Sequence, residues 1–435
     1  MVKRLKPFNL PQVLSNRSGG QRNINNFLLQ KQRLANTITN SIVRMESPTA
    51  VSCENLPTFL SSFADTFVDF SVSGGLFLPP VPPQLSPPLR PDPLPRLQTV
   101  FQAPARLIAV GDLHGDLQKT KQAFRLSGLI DDQERWCGGS TTVVQVGDVL
   151  DRGGEELKIL FFLEKLKREA AKAGGGVITM NGNHEIMNVV GDFRYVTKDG
   201  LKEFEDWAFW HSVGDTLKKM CEGVGETKDP FDGVPFKFPG LKPEFFAGFR
   251  ARVAALRPSG PIATRFLSQN QTVVVVGDSV FAHGGLLPLH VDYGLEKLNE
   301  EVSDWISGVR GSVWRELVMG RNSIVWLRKF SNELAKDCDC SALEHVLATI
   351  PGVKRMIMGH TIQESGINGV CKNQAIRIDV GMSKGCGNGL PEVLEIDRQS
   401  RIRVLTSNPM YQDRKDVDGL IMHPPQVGRQ VEVNA

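Results

Sequence analysis

The sequence has no long apolar run. Among its 435 residues no stretch approaches 18 consecutive apolar residues, so we expect no membrane-spanning helix. A hydrophobic content of 41% is nevertheless enough for a sizeable core, which excludes wholesale disorder. The length allows one large domain with additional segments, or two ordinary domains.

Cysteine is also scarce. The seven cysteines form no CxxC pair, so we expect neither a disulfide scaffold nor an oxidising compartment. Cys338 and Cys340 are separated by a single residue, which is too close for a tetrahedral zinc site. We interpret them as loop cysteines, with redox sensing as the alternative.

Acidic residues are absent from 1–44, which contain eight lysines and arginines. This composition is typical of an organellar transit peptide, whereas a translation start at Met45 would make the segment an untranslated or disordered extension. The first interpretation predicts a mitochondrial or chloroplast protein, and the second, which we prefer, a cytosolic one. The remaining 43 basic and 48 acidic residues give 45–435 a formal net charge of −5. Without a concentrated basic face, we expect no nucleic-acid partner.

Proline is concentrated in one short segment, since 79–95 contain nine prolines. Because proline fixes φ and lacks an amide donor, we predict an extended polyproline strap within an N-terminal segment of 45–103. A strap leading into the next domain is our interpretation, and docking of a regulatory partner is the alternative. The domain that follows is predicted to cover 104–408, with a C-terminal tail at 409–435.

Apolar runs that predict strands alternate with helical patterns from Arg106 onward. Helices are predicted at about 115–128 and 154–173, a helical insertion at about 191–270, and a hairpin at 392–406. The apolar runs themselves lie at 106–112, 141–148, 177–183, 272–285, 355–360 and 375–382. Strands that alternate with helices and are then followed by strand-rich sequence predict an α/β protein with mixed sheets.

Polar motifs follow five of these predicted strands. They are GDLHG at 111–115, GDVLDRG at 147–153, GNHE at 182–185, HGG at 283–285 and GH at 359–360. Because strand ends in α/β proteins meet at one edge of a sheet, we expect these side chains to lie together. Asp278 also follows a glycine but has no following histidine, and we interpret it as a turn residue.

Two aspartates, one asparagine and three histidines in these motifs can hold two divalent ions. Without a thiolate, this donor set favours manganese, iron or zinc, and we prefer manganese. One aspartate can bridge two ions about 3.5–4 Å apart, as in two-metal hydrolysis.

The GDLHG, GDVLDRG and GNHE motifs resemble the signature of the phosphoprotein phosphatases, a metallophosphatase family. Within it, the chain is most similar to the Shewanella-like protein phosphatases of plants, a branch of bacterial type. The resemblance implies a central mixed β-sandwich flanked by helices in α/β/β/α layers. The insertion and the segment IDVGMSKGCGNG at 378–389 differ from the animal-type enzymes, so regulatory-subunit binding is not carried over.

The resemblance also implies roles for individual residues. Asp112 and His114 would bind one metal, Asp148 both metals, and Asn183, His283 and His360 the second. His184 would be the general acid, oriented by Asp151. Phosphate would be bound by Arg152, Asn183 and a second arginine, for which Arg328 is preferred over Arg321 and Arg194.

The implied function is a metal-dependent protein phosphatase acting on phosphoserine and phosphothreonine monoesters. Hydrolysis would proceed by in-line attack of a hydroxide that bridges the two metals, without a phosphoenzyme. A diadenosine polyphosphate hydrolase or another small-phosphoester hydrolase is the enzymatic alternative. A pseudo-phosphatase scaffold that binds partners through the proline strap is the alternative of another class, although every predicted ligand and His184 are present.

Overall fold

The computed structural model of the chain describes residues 56–76, 97–219, 228–332, 334–407, 420–423 and 429–433. The acid-free segment 1–44 and the proline strap 79–95 lie outside the described residues, so the predictions for them stay predictions. In the described part of the chain, no helix has the length and apolar character needed to cross a membrane.

Most of the described strands coincide with the predicted apolar runs, and the five strands that precede a polar motif each end before it. They are β1 Val100–Phe101, β2 Arg106–Val110, β3 Thr142–Gln145, β4 Gly176–Thr179, β5 Val273–Val276, β6 Ser279–Ala282, β7 Arg355–Met358, β8 Asn368–Val370, β9 Ala375–Arg377, β10 Glu392–Asp397, β11 Ile402–Thr406, β12 Leu420–His423 and β13 Arg429–Val433.

The described helices surround the strands. They are α1 Leu56–Ser73, α2 Leu117–Leu126, α3 Glu156–Lys172, α4 Asn183–Val189, α5 Lys198–Lys219, α6 Phe246–Leu256, α7 Pro261–Arg265, α8 Pro288–Tyr293, α9 Leu295–Ser307, α10 Arg315–Val318 and α11 Cys340–Ala348. Three of them, α5, α6 and α7, lie in the predicted insertion. Asp116 caps α2, as its carboxylate accepts a hydrogen bond from the backbone N–H of Lys119 at 3.0 Å.

The strands form two mixed sheets. One has the order β1-β5-β6-β7-β9-β8 and the other the order β12-β13-β11-β10-β2-β3-β4. In the second sheet β2, β3 and β4 are parallel neighbours, and in the first β6 and β7 are. The predicted hairpin at 392–406 is confirmed as β10 and β11. Strands β12 and β13 extend this sheet from within the segment predicted as a C-terminal tail.

An apolar core lies between the two sheets. It draws on both of them, with Ala109, Val144, Ile178 and Leu394 from one and Phe281 from the other, all buried. A second and larger core packs the outer faces against the helices, with Phe124, Phe161 and Phe162 on α2 and α3. The α/β/β/α sandwich predicted from the sequence is therefore confirmed.

The expectation that Cys340 is a plain loop cysteine is wrong, because Cys340 forms a disulfide with Cys371. The two Cα atoms are 5.2 Å apart and the residues are separated by 31 positions in the chain. The bond joins the start of α11 to the residue just after β8. Folding brings these two positions together, and the spacing of the cysteines alone could not indicate it. Among the described cysteines, Cys137, Cys338 and Cys386 are free.

Candidate metal centre and active site

All five polar motifs lie just after the C-terminal ends of strands. The first three follow the parallel neighbours β2, β3 and β4, and the other two follow the neighbours β6 and β7 of the facing sheet. Because parallel strands end at the same edge, the motifs of both sheets meet at one end of the sandwich. The predicted ligands are therefore brought together from segments up to 248 residues apart.

The carboxylate of Asp148 lies at the centre of this cluster. Its Oδ2 atom is 3.2 Å from Nε2 of His283, 3.7 Å from Nε2 of His114 and 3.9 Å from Nε2 of His184. Nε2 of His283 also lies 3.0 Å from Oδ1 of Asn183. A carboxylate placed between imidazoles from two sheets suits a ligand shared by two metal ions.

The donor atoms form two groups, and within each group the atoms lie within 4.8 Å of one another. Both groups contain Asp148. The first adds His114 and His184, and the second adds His283 and His360. Asp112 lies beside them, since its carboxylate accepts a hydrogen bond from the backbone N–H of His360 at 3.2 Å. Nε2 of His360 is buried without a hydrogen-bond partner in the described part of the chain, as expected of a ligand atom turned toward a metal.

The loops that carry these groups have a strained backbone. Five residues of the motifs other than glycine adopt positive φ, between 43° and 68°: His114, Asp148, Asp151, Arg152 and His360. A side chain at positive φ costs free energy, so such residues persist only where the surrounding structure fixes them, usually at functional sites. A Cβ on Gly182 or Gly359 would come within 2.3 Å of the carboxylate of Asp148 or Asp112, so both glycines are needed for this close approach.

The carboxylate of Glu185, the last residue of the GNHE motif, holds two of the loops together. It accepts hydrogen bonds from the backbone N–H groups of Asp148, Val149, Leu150 and Gly182 at 2.7–3.0 Å. Glu185 is fully buried, so these four bonds compensate for the loss of hydration. The position of Asp148 is thereby fixed by a residue that follows a different strand.

The pKa values of the buried carboxyl groups indicate whether the cluster can bind cations. Burial, followed by the neighbouring carboxylates of Asp379 and Asp148, raises the pKa of Asp112 well above its usual value. Burial also raises the pKa of Asp379, whose carboxyl group is hydrogen-bonded to that of Asp112. Such a crowd of buried carboxyl groups retains a proton unless cations replace it. The residues present therefore fit divalent metal ions.

His114 has the chemistry that a metal ligand requires. Burial, followed by the charge of His184, lowers the pKa of His114 to about 4, which keeps its imidazole neutral and able to ligate. Nδ1 of His114 lies 3.0 Å from the carbonyl oxygen of Leu150, which orients Nε2 toward Asp148. Burial raises the pKa of the nearby Cys386 thiol to about 12, so the donor set contains no thiolate.

His184 and Asp151 form a buried pair beside Asp148. Nδ1 of His184 lies 2.6 Å from Oδ2 of Asp151, and its Nε2 lies 3.9 Å from Oδ2 of Asp148. Burial would lower the pKa of His184, but Asp148 and the hydrogen bond with Asp151 outweigh it and raise this pKa above its usual value. The imidazole is thus oriented and biased toward its protonated form, as a general acid must be.

The predicted phosphate-binding arginines occupy different positions. The Arg152 guanidinium lies 4.8 Å from the centre of the Tyr195 ring, and its Nε is a buried donor without a partner among the described residues. Arg328 lies on the exposed rim, where Nη1 donates to the carbonyl oxygen of His360 at 3.1 Å and to Oγ1 of Thr361 at 2.7 Å. Arg194 is paired instead with Asp192 at 2.6 Å. Of the candidates for the second arginine, Arg328 is the one with a contact to the metal-binding loops.

Comparisons with known proteins identify the family. The family model described as calcineurin-like phosphoesterase matches residues 105–364, more than half of the chain. Shewanella-like protein phosphatase 2 of Arabidopsis thaliana is 60% identical over 400 residues, covering 90% of this chain and 99% of the relative. The chain belongs to the Shewanella-like protein phosphatases.

A more distant relative and a solved structure show how far the similarity extends. Shewanella-like protein phosphatase 1 of Plasmodium berghei is 28% identical over 301 residues, or 67% of this chain and 72% of the relative. The crystal structure of the cold-active protein-tyrosine phosphatase of a psychrophilic Shewanella species has 20% sequence identity and a TM-score of 0.50. It covers 71% of this chain and 80% of its own. At this identity the likeness shows the shared fold alone.

Three residues near the site were missed by sequence reasoning. Asp379 follows β9 in the segment IDVG, so the rule that polar residues after strand ends meet at one edge could have found it. Tyr195 and Arg252 belong to the insertion, where no motif marks them. The Tyr195 ring lies 5.1 Å from the His184 ring, centre to centre, and Arg252 is paired with Asp151 at 2.9 Å. The insertion thus contacts the site through both Tyr195 and Arg252.

Proposed function

We propose that this protein hydrolyses phosphoserine and phosphothreonine monoesters in proteins with the help of two divalent metal ions. One observation carries the proposal: imidazoles from both sheets surround the carboxylate of Asp148, beside the His184–Asp151 pair. This arrangement unites a metal-binding cluster with a group able to protonate a leaving oxygen.

Asp112, His114, Asp148, Asn183, His283 and His360 would hold the ions. When bound, two divalent ions lower the pKa of a water molecule and offset the charge on phosphoryl oxygens. The guanidinium groups of Arg152 and Arg328 would bind those oxygens. His184 would give its Nε2 proton to the leaving alkoxide, while Asp151 keeps the imidazole in the required orientation. No side chain is needed as a nucleophile.

The edge of the site is exposed to solvent, which allows a phosphate on the surface of a protein to reach it. Tyr195 is 39% exposed and Arg328 is also exposed, so the groups around Arg152 can be approached by a large substrate. We propose manganese as the resident metal, because the donors are carboxylate and amide oxygens and imidazole nitrogens. Reconstitution of the chelated protein with Mn²⁺, Fe²⁺ or Zn²⁺, with activity and bound metal measured together, tests this choice.

The function is tested first with p-nitrophenyl phosphate. We expect the full chain to hydrolyse it after addition of Mn²⁺ and to lose activity with a chelator, whereas a scaffold without catalysis would show neither effect. The Asp148→Asn variant serves as the control for contaminating phosphatases.

A panel of substrates then tests the specificity. We expect higher kcat/KM for phosphoserine and phosphothreonine peptides than for diadenosine tetraphosphate. A preference for the dinucleotide would refute a protein phosphatase. A preference for phosphotyrosine peptides would retain the protein phosphatase and refute the proposed residue specificity.

The location in the cell stays a prediction from the sequence. We propose the cytosol with a translation start at Met45, and a mitochondrion or chloroplast if 1–44 is a cleaved transit peptide. The N-terminal residue of the protein purified from its own tissue distinguishes an intact leader, a cleaved leader and a Met45 start.

A further inference from the structure

Arg252 is a fully buried arginine on α6, in the helical insertion. An arginine is rarely buried unless acceptors satisfy its guanidinium, because its charge cannot be removed by deprotonation. Two aromatic rings of the same insertion pack against the guanidinium, with ring centres 4.6 Å away for Phe204 and 5.6 Å away for Phe193. The polar contacts of Arg252 therefore explain why a charged side chain can be buried at this position.

Arg252 donates hydrogen bonds to Asn188, Glu156 and Asp151, which lie behind His184 in the fold. Nε donates to Oδ1 of Asn188 at 2.7 Å, and Nη1 donates to Oε1 of Glu156 at 2.9 Å. Nη2 donates to Oε2 of Glu156 at 2.6 Å and to Oδ1 of Asp151 at 2.9 Å. The insertion thus makes a charge-assisted contact with the residue that orients His184.

The two oxygens of Asp151 are divided between two partners. Oδ2 lies 2.6 Å from Nδ1 of His184, whereas Oδ1 accepts from Arg252 and from Nδ2 of Asn188 at 3.0 Å. The backbone of Asp151 is held as well, since its N–H donates to Oε2 of Glu156 at 3.0 Å and its φ is 68°. Arg252 and Asn188 therefore fix the Asp151 carboxylate through the oxygen that His184 does not use, and Glu156 fixes the backbone of Asp151.

The charges explain why an arginine is needed at this place. Asp151 and Glu156 are both fully buried, and two carboxylates that have lost their hydration need a charged hydrogen-bond donor between them. The Arg252 guanidinium bonds to both carboxylates and balances one of the two negative charges. This contact holds Oδ1 of Asp151, so that Oδ2 stays directed at Nδ1 of His184.

We propose that Arg252 is a positioning residue through which the helical insertion supports leaving-group protonation by His184. The inference rests on the proposed phosphomonoester hydrolysis, and it does not depend on whether the natural substrate is a protein. Arg252 does not touch the substrate, so its effect should appear only in steps that need the His184 proton.

Two aryl phosphates separate this role from a general structural one. Phenyl phosphate has a poor leaving group that needs a proton, whereas p-nitrophenolate departs with little assistance. For Arg252→Met we expect kcat on phenyl phosphate to fall about 10 to 100 times more than kcat on p-nitrophenyl phosphate, with KM changed less than about threefold. Arg252→Lys should lie between this variant and the unmodified protein. Guanidinium ion added to Arg252→Ala should restore part of the rate on phenyl phosphate.

The insertion also offers a matched control. Arg265 on α7 is paired with Asp69 at 2.5 Å and with Glu164 at 2.7 Å, in contacts that fasten α1 and α3 rather than the site. We expect Arg265→Met to lower stability without changing the ratio of the two kcat values. A ratio that changes equally in both variants would overturn the proposal.

A double-mutant cycle tests whether Arg252 acts through His184. In the His184→Asn background, Arg252→Met should cost no more than about twofold on phenyl phosphate, because the proton donor is already absent. Full additivity of the two losses would overturn the inference. If Arg252→Met does not fold, the same comparison is made with Arg252→Lys. An equal loss of kcat on phenyl phosphate and on p-nitrophenyl phosphate in that variant would also overturn the proposal. Absence of activity toward both aryl phosphates in the unmodified protein would refute the proposed function instead.

Discussion

The strand-end loops and the segments that flank them contribute to the site in different ways. The strand-end loops, the five motifs at 111–115, 147–153, 182–185, 283–285 and 359–360, supply almost every donor atom, and three of them hold residues other than glycine at positive φ. The flanking segments, 191–270 and 323–339, supply Tyr195, Arg252 and Arg328, which contact the loops from outside. The loops determine which reaction is possible, and the flanking segments determine how well its groups are held.

This difference predicts two kinds of variant. Changes in the strand-end loops should remove metal or a catalytic proton and lower kcat by orders of magnitude. Changes in the flanking segments should alter stability, substrate binding or the dependence on leaving group, with the metals retained. A variant in a flanking segment that loses its metals would contradict this division of roles.

The largest effect is expected for Asp148→Asn. Because Oδ2 of Asp148 lies within 3.9 Å of three imidazoles, loss of its charge should release metal from both positions and lower kcat by about 10⁴-fold or more. Metal analysis and hydrolysis of p-nitrophenyl phosphate measure the two effects.

Asp278→Asn is the matched control for this variant. Asp278 also follows a glycine after a strand, but it lies in the turn between β5 and β6, as predicted, where it accepts a hydrogen bond from Oγ of Ser400 at 2.5 Å. It should keep its full metal content. Retention of both metals by Asp148→Asn would contradict the shared-ligand role.

For His184→Asn we expect a loss of between about 10² and 10⁴ in kcat on phenyl phosphate, a smaller loss on p-nitrophenyl phosphate, and unchanged metal content. The imidazole supplies the proton, and the poorer leaving group depends on it more. His345→Asn, on the exposed face of α11, is the control. Near-normal rates on phenyl phosphate would show that another group is the acid.

Removal of the disulfide by Cys371→Ser should lower the free energy of unfolding by about 3–4 kcal/mol, since the bond closes a loop with a sequence separation of 31. Turnover should change little, because Arg328 is held independently by its bonds to His360 and Thr361. Urea unfolding measures the loss, and Cys137→Ser, which removes an exposed free thiol, is the control. An unchanged unfolding midpoint would refute a stabilising disulfide.

The smallest effect is expected for Tyr195→Ala. Loss of the ring 4.8 Å from the Arg152 guanidinium should raise KM for p-nitrophenyl phosphate about three- to tenfold and leave kcat nearly unchanged. Tyr195→Phe keeps the ring and should behave like the unmodified protein. If both variants are equally affected, the hydroxyl rather than the ring is what matters.

The strand-end loops could be predicted from the sequence because each motif is contiguous and follows an apolar run. The meeting of the motifs at one edge then follows from the alternation of strands and helices. Arg252 could not be found in this way, since its partner Asp151 lies 101 positions earlier and only the packing of α6 unites them. The same reason applies to Cys340 and Cys371. Contacts between distant segments without a motif are decided by packing, which periodicity does not record.

The strained backbones of the strand-end loops have a thermodynamic consequence. Residues such as His114 and Asp148 adopt positive φ at a cost in free energy, and metal ions bound between their side chains would help to offset it. A ligand that binds the folded chain alone raises its stability by mass action. The metal ions would therefore raise the free energy of unfolding as well as support catalysis. The concentration of available metal would then affect how much folded enzyme a cell contains.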